Sequence, residues 1–220
     1  MNNSLILREG LMVIVSSPSG AGKTTLTRKL VNELDDAVLS ISVTTRKKRA
    51  NEEEGLHYFF LEEKQFINMK ENNELLEHAN VFGYFYGTPK NNVLESVQSG
   101  KDVVFDIDWQ GAKQLRSNFH SNIISIFILP PSASELMSRL IKRDQDSFDT
   151  IKKRITAAYD EITHWNEYDY VIINDNLESA YSELKAIILS ERLKISDKNR
   201  DSIDSHVQKL LIDLENRLEK

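Results

Sequence analysis

Short apolar runs recur along the chain, separated by longer segments in which apolar residues return every three or four positions. The runs are Leu11–Ser16, Ala37–Ser42, Asp102–Ile107, Ile123–Leu129 and Tyr170–Ile173. Each has strand length and carries no polar alternation, the pattern of a strand buried on both faces. Thr24–Leu34, Ser132–Lys142, Thr150–Asn166 and Leu177–Leu193 carry helical spacing between and after them. Buried strands alternating with helices predict an α/β fold with a parallel sheet covered on both sides. Between Ser42 and Ser99 the rhythm changes. His57–Leu61 and Leu75–Phe82 mix aromatic and polar residues, and Gly83 and Gly87 punctuate the stretch beyond them. This region reads as an inserted subdomain with its own small sheet. A second, smaller insertion is expected at Glu135–Ile155, around the polar run Lys142–Asp149. After Ser196 a single amphipathic helix is expected. Ile203, Val207, Leu210, Leu214 and Leu218 form its apolar stripe, which packs either on the chain's own core or against a second subunit.

Composition narrows the chemistry. The chain has 220 residues, one domain with appendages at roughly 150 residues per domain. The absence of cysteine excludes disulfides, thiolate metal sites and a cysteine nucleophile. Twenty-eight Lys and Arg against 34 Asp and Glu give a net charge of −6, which argues against a general nucleic-acid binder. No apolar run approaches the roughly 20 residues that span a bilayer, and the first leads into a glycine-rich loop rather than a cleavage site. No membrane association and a cytoplasmic location are therefore expected.

The loop after the first strand is Ser17-Pro18-Ser19-Gly20-Ala21-Gly22-Lys23-Thr24. It matches the phosphate-loop pattern G-x-x-x-x-G-K-[ST] except at its first position, where Ser17 stands. Its mechanism survives that change. Backbone N–H groups from Ser19 to Thr24 can ring a phosphate chain, and Gly20 and Gly22 permit the tight path. Lys23 would reach the β- and γ-phosphates and Thr24 would hold Mg²⁺. Strand before and helix after make this a strong signal for a nucleoside triphosphate. It says little about the acceptor.

Arg46-Lys47-Lys48-Arg49 is the densest basic run. As a solvated loop it would carry no chemistry. Ser42, Thr44, Thr45 and Arg46, however, follow a strand's carboxyl end, where open α/β sheets bind ligands. Tyr58 and Tyr86 add hydroxyls from the inserted region. Two arginines and two tyrosines make a cage for one phosphate monoester. Asp106 closes a buried apolar strand, where a carboxylate needs a partner such as Mg²⁺ or a group of the acceptor site.

The ordered motifs Ser42-Val-Thr-Thr-Arg46, Arg49, His57-Tyr58-Phe59-Phe60, Glu74-Leu-Leu-Glu77-His-Ala, Phe82-Gly-Tyr-Phe-Tyr86-Gly-Thr88 and Asp106-Ile-Asp108-Trp-Gln-Gly111 resemble the guanylate kinase family. Phe127-Ile-Leu-Pro-Pro-Ser132 and Val171-Ile-Ile-Asn-Asp175 extend the likeness, which runs from about Leu11 to Arg192. The resemblance implies GMP + ATP → GDP + ADP with Mg²⁺, on a P-loop three-layer fold with a helical lid. It implies a core of residues 1–41, 100–134 and 156–194, a GMP-binding insertion at 42–99, a lid at 135–155 and a C-terminal helix at 195–220. It also implies that Glu77, with Asp108 assisting, reads guanine N1–H and N2–H₂, and that Ser42 and Thr88 offer hydroxyls to the base edge. Arg46, Arg49, Tyr58 and Tyr86 would hold the GMP phosphate, with Asp106 near it or on Mg²⁺. Arg143 and Arg154 would be lid contacts to the transferring phosphate, with Arg139 a weaker candidate, and Asn174 would lie near adenine. The sequence departs from the family pattern at Ser17, at Lys48 for the usual proline, at Asn51 for the usual glycine and at Asp144 after the lid arginine. Two other readings stand beside it: a P-loop kinase for a different monophosphate, and a silent protein-interaction module of the kind that loses the loop lysine, which this chain retains.

Overall fold

A computed structural model of the chain describes residues 8–81, 83–143, 148–195 and 197–218, with side chains at all of these except 142–143, 148–153 and 197–198. The first half runs β1 (Met12–Ser16), α1 (Lys23–Glu33), β2 (Ala37–Leu39), β3 (Val43–Thr44), β4 (Phe59–Phe60), α2 (Glu63–Glu71), β5 (Leu75–Val81), β6 (Tyr84–Pro89) and α3 (Lys90–Gln98). The second half runs β7 (Asp102–Asp106), α4 (Trp109–Asn118), β8 (Ile123–Leu129), α5 (Ala133–Arg143), α6 (Phe148–Thr163), β9 (Tyr170–Ile173), α7 (Leu177–Arg192) and α8 (Asp197–Leu218).

The core sheet is parallel, in the order β2-β7-β1-β8-β9. Alternation along each strand divides the core in two. Val13 and Val15 of β1, Val104 of β7 and Ile124, Ile126 and Ile128 of β8 face one side, where Leu26 and Leu30 of α1 meet Leu184 and Ile188 of α7. Met12, Ile14, Phe105 and Phe127 face the other, against Val93 and Val97 of α3 and Leu115 of α4. A strand buried on both faces takes apolar residues at most positions, which is why these runs read so clearly; the buried exceptions, Asp102 and Ser125, are hydrogen-bonded. Each such side chain taken fully from water contributes about 1.5–3 kcal/mol. Central β1 lies between β7 and β8, so the crevice past their carboxyl ends is the natural ligand site of the fold.

The inserted region carries a four-stranded sheet in the order β4-β3-β6-β5. Two expectations change here. The run Ala37–Ser42 is not one strand. β2 ends at Leu39, and β3 belongs to the second sheet, pairing with β4 and β6. The segment after Gly83 is a strand, not a break: β6 pairs antiparallel with β5, and Gly83 supplies the positive φ of +85° in the turn between them. The helices α2, α3 and α4 were not legible either. α2 buries only Phe66, so its sequence shows almost no stripe.

α5 and α6 pack together through Leu136, Leu140 and Ala158, with Ile155 and Ile162 alongside. Leu136 and Leu140 also stand against Gly20 of the phosphate loop. The tail helix α8 is not docked on the core along its stripe. Ile203 is half-buried, but Val207, Leu210, Leu214 and Leu218 are all exposed.

Candidate active site

The phosphate loop joins β1 to α1. Gly20 (φ +91°) and Gly22 (φ +96°) take the left-handed turns, and Ala21 N–H closes on Pro18 O at 3.1 Å. Ser17 does not need positive φ. It is buried with its hydroxyl on Pro18 O, which is why a serine replaces the usual glycine here without loss of the loop. A Cβ on Gly22 would lie 2.3 Å from Asn174 Nδ2. That amide donates to Ala21 O at 2.7 Å, and Asn174 is buried. Asn174 is therefore a strut under the loop.

Lys23 Nζ lies 2.6 Å from Asp106 Oδ1 and donates to Ile107 O at 3.0 Å. Thr24 Oγ1 donates to Asp106 Oδ2 at 2.9 Å. Burial alone would lower the Lys23 pKa, but the charge and hydrogen bond of Asp106 outweigh it and the net shift is upward. The loop cation, the loop hydroxyl and the carboxylate at the end of β7 thus converge. Thr24 and Asp106 give a hard oxygen pair of the type Mg²⁺ accepts. Among the described residues no cluster of three acidic or histidine ligands exists, so such an ion would complete its shell from phosphates and water.

The basic run folds back on the small sheet. Arg46 Nε donates to Tyr86 Oη at 3.2 Å, and its guanidinium lies 5.5 Å from the Tyr58 ring centre. Tyr58 and Tyr86 meet edge to face at 5.9 Å. Arg46 also makes a bidentate pair with Glu52 at 2.7 and 3.0 Å, and Arg49 N–H donates to Glu52 at 2.8 Å. Burial would raise the Glu52 carboxyl, but the Arg46 pair pulls it below the usual range. Glu52, which sequence reasoning missed, sets the direction of the Arg46 fork. Arg49 itself is exposed. The turn through Asn51 closes by Glu52 N–H on Arg49 O at 3.1 Å, and Asn51 does not use the left-handed region.

Glu77 sits on β5 at 3% exposure, its Oε1 accepting from Thr88 Oγ1 at 2.7 Å. Ser42 is buried as well. Burial pushes the Glu77 carboxyl up to about 7; the Thr88 bond opposes this, and the charge of Asp108 adds to it. Asp108 caps α4: Oδ1 accepts from Gly111 N–H at 3.1 Å and Oδ2 from Gln110 Nε2 at 3.0 Å. A Cβ on Gly111 would fall 2.4 Å from Glu77 Oε2. Gly111 is thus the residue that lets Glu77 stand there. Gln114 fixes the same junction, accepting from His78 N–H at 3.1 Å and donating to His78 O at 2.6 Å. Neither Gly111 nor Gln114 had a sequence signal beyond belonging to, or following, the motif that starts at Asp106.

The helical hairpin faces the loop. Arg139 pairs with Glu135 at 2.8 Å. Arg154 is half-buried on α6. Arg143 ends α5 with its side chain outside the described residues, where Asp144 also lies. Glu161 of α6, another residue without a sequence signal, accepts from Ser19 N–H at 3.0 Å; burial raises its carboxyl and the Ser19 bond opposes the rise. The structure brings Lys23, Thr24 and Asp106 together, and separately Arg46, Tyr58 and Tyr86, and Glu77, Thr88 and Asp108, with Lys23 close enough to Glu77 for their charges to interact. Ser42 is buried just before β3.

Comparison with known proteins gives a consistent result. The family model described as Guanylate kinase matches residues 9–191. A guanylate kinase of Agrobacterium fabrum is 48% identical over 196 residues, 88% of this chain and 89% of that protein. One of Maricaulis maris is 50% identical over 187 residues, 85% of this chain and 86% of that protein. The crystal structure of guanylate kinase from Anaplasma phagocytophilum superposes with a TM-score of 0.73 at 35% identity, covering 86% of this chain and 89% of that one. With the family model matched over residues 9–191 and relatives 48–50% identical over most of both chains, this chain belongs to the guanylate kinase family.

Proposed function

We propose that the chain transfers the γ-phosphate of ATP to GMP, giving GDP and ADP. The observation that carries the acceptor is the buried Glu77. Guanine offers N1–H and N2–H₂ side by side, and an ionised carboxylate accepts both. Adenine would set an unprotonated N1 against it. Sites built for such hydrogen bonds reject a substrate lacking them by ~10⁴ or more. Thr88 and Ser42 supply hydroxyls at the base edge. Arg46, Arg49, Tyr58 and Tyr86 receive the GMP phosphate, and Glu52 keeps Arg46 aimed. Residues 42–99 form the GMP-binding unit, 135–155 the lid, 1–41, 100–134 and 156–194 the core, and 195–220 a separate C-terminal helix.

Transfer to a monophosphate oxygen needs no general base, because its second pKa is ~6 and the oxygen is already ionised at neutral pH. The barrier is charge. Lys23 leaves Asp106 for the phosphate chain, the loop amides beyond Ser19, whose own N–H is taken by Glu161, hold the β-phosphate, and Arg143 and Arg154 close over the γ-phosphate. Mg²⁺, held by Thr24 and Asp106, would supply charge neutralisation between the phosphates. The chain is expected to work in the cytoplasm, and no described helix is long and apolar enough to cross a membrane.

The test is ADP release from MgATP with GMP, dGMP, AMP, CMP, UMP and dTMP against a no-acceptor blank. Strong turnover with GMP alone, or GMP and dGMP, is expected. Faster turnover with another monophosphate would refute the guanine reading, and silence with every acceptor would refute the kinase. Gly111→Ala gives a structural check on the same site. Its methyl must push Glu77 aside, so GMP affinity should fall on the order of tenfold or more while ATP affinity holds. Equal GMP titrations for the two proteins would show that Glu77 does not face the base.

The exposed stripe of α8 is read as a contact with a second copy of the chain. Truncation after Ser196 should lower the solution mass from dimer or higher to monomer. An unchanged mass would dismiss that role.

A further inference from the structure

We propose that Glu161 is a positioning residue for phosphoryl transfer: by accepting the Ser19 N–H it ties α6 to the phosphate loop and so holds Arg154 over the loop. The proposal rests on the reading of Arg154 as a contact to the transferring phosphate.

Three observations carry it. First, Glu161 and Ser19 are 142 positions apart in sequence and meet at 3.0 Å, a directional bond between the loop and the end of α6 that lies beyond the lid. Second, Arg154 and Glu161 are seven residues apart on one continuous helix, Phe148–Thr163. Two turns of α-helix return to nearly the same face, off by ~20°, at a rise of about 10 Å along the axis. Fixing the direction of one side chain therefore fixes the direction of the other. Third, the hairpin also meets the loop through apolar groups: Leu136 and Leu140 against Gly20, with Ala158, Ile155 and Ile162 behind them. Apolar contact sets how close α6 lies but leaves its rotation loosely defined. A hydrogen bond has a required geometry and supplies the missing constraint.

The local electrostatics make this contact hard to attribute to packing. Glu161 is half-buried near Asp160 and Asp108, carboxylates of its own sign, with Lys23 the opposing charge. A neutral side chain would be less costly in that setting. What the acid provides there is an acceptor aimed at the Ser19 amide, at the start of the loop.

The experiment uses Glu161→Ala, Glu161→Gln, Arg154→Ala and the Glu161→Ala/Arg154→Ala double variant, with kcat, KM for GMP and ATP affinity measured for each. Glu161→Ala should lower kcat on the order of tenfold or more, since small misplacements of a charge-stabilising group are costly. KM for GMP should stay at the wild-type value. Glu161→Gln keeps an oxygen acceptor and should recover most of the loss. In the Arg154→Ala background, Glu161→Ala should cost no more than about twofold, the non-additivity of two residues acting as one unit. A damaging Arg154→Ala with a harmless Glu161→Ala, or losses that multiply in the double variant, would overturn the proposal and leave the Arg154 reading standing. A harmless Arg154→Ala would remove that reading itself. If Glu161→Ala instead tightened ATP binding with kcat intact, Glu161 would be a competitor for the loop and the proposal would be wrong.

Discussion

Lys23→Ala should lower kcat for GMP phosphorylation on the order of 10²–10³-fold, the usual cost of removing one group that meets developing charge in a water-poor site. The argument starts from its present partners. Lys23 is held between Asp106 at 2.6 Å and Ile107 O at 3.0 Å, at the point where the loop turns into α1. The net upward shift of its pKa keeps it cationic at any working pH. It is thus a fixed charge parked on a carboxylate, ready to exchange that partner for a phosphate. Thr24 shares the same carboxylate, so the alanine variant keeps the Thr24–Asp106 contact and the loop amides. ATP affinity should therefore fall far less than kcat. GMP affinity has one indirect dependence. The charge of Lys23 also restrains the rise of the Glu77 pKa, so its removal pushes Glu77 further towards the protonated form. GMP binding by Lys23→Ala should match wild type near pH 8.5 and lag behind it near pH 6.5. A kcat within about fivefold of wild type would mean that Lys23 has no part in transfer.

The core strands β1 and β8 were legible because burial on both faces leaves little room for polar residues; β9 is an edge strand with Val171 and Ile173 exposed and was legible from its apolar run alone. The inserted sheet was legible only in part. β3 and β4 hold two residues each, too short for any periodicity, and β6 (Tyr-Phe-Tyr-Gly-Thr-Pro) carries glycine and proline that normally interrupt strands. The phosphate loop and the Arg46, Tyr58, Tyr86 and Glu77 set could be read because each lies in a local motif. Their supports could not. Glu52 acts through a turn that folds back onto Arg46. Gly111 matters because α4 packs against β5, and Asn174 reaches Ala21 from the end of β9. Glu161 meets Ser19 only when the hairpin lies over the loop. Contacts of this kind depend on the tertiary arrangement, and a residue's type says nothing of them. The Asn51 turn shows the converse. The backbone there takes an ordinary turn outside the left-handed region, so the departure from glycine costs nothing.

Glu77→Gln should separate function from stability in opposite directions. For GMP the loss should be large, on the order of 10²-fold or more in affinity, because an amide offers one acceptor and turns a donor towards the guanine N–H groups. The preference over AMP should shrink with it. For the empty protein the change should be favourable. Burial raises the Glu77 pKa from 4.5 to about 7, so the folded state binds this proton more tightly than the unfolded chain. A group shifted in that direction leaves stability intact below about 4.5 and removes it as pH climbs through 7. Above that range the buried charge costs on the order of 3 kcal/mol. Glutamine never ionises and keeps an oxygen for the Thr88 hydroxyl. At pH 8 the variant should unfold at higher denaturant or temperature than wild type, and at pH 5 the two should nearly coincide. The same titration governs binding. Wild-type affinity for GMP should weaken as pH falls through 7, ahead of the GMP phosphate, whose own second pKa is ~6. In Glu77→Gln that upper step should vanish, leaving only the phosphate's. A variant less stable than wild type at pH 8, or one that binds GMP as wild type does, would show that the carboxylate is a structural group and not the reader of the base. On the proposed reading, the unfavourable buried acid is kept because the paired N–H donors of guanine complete its hydrogen bonds.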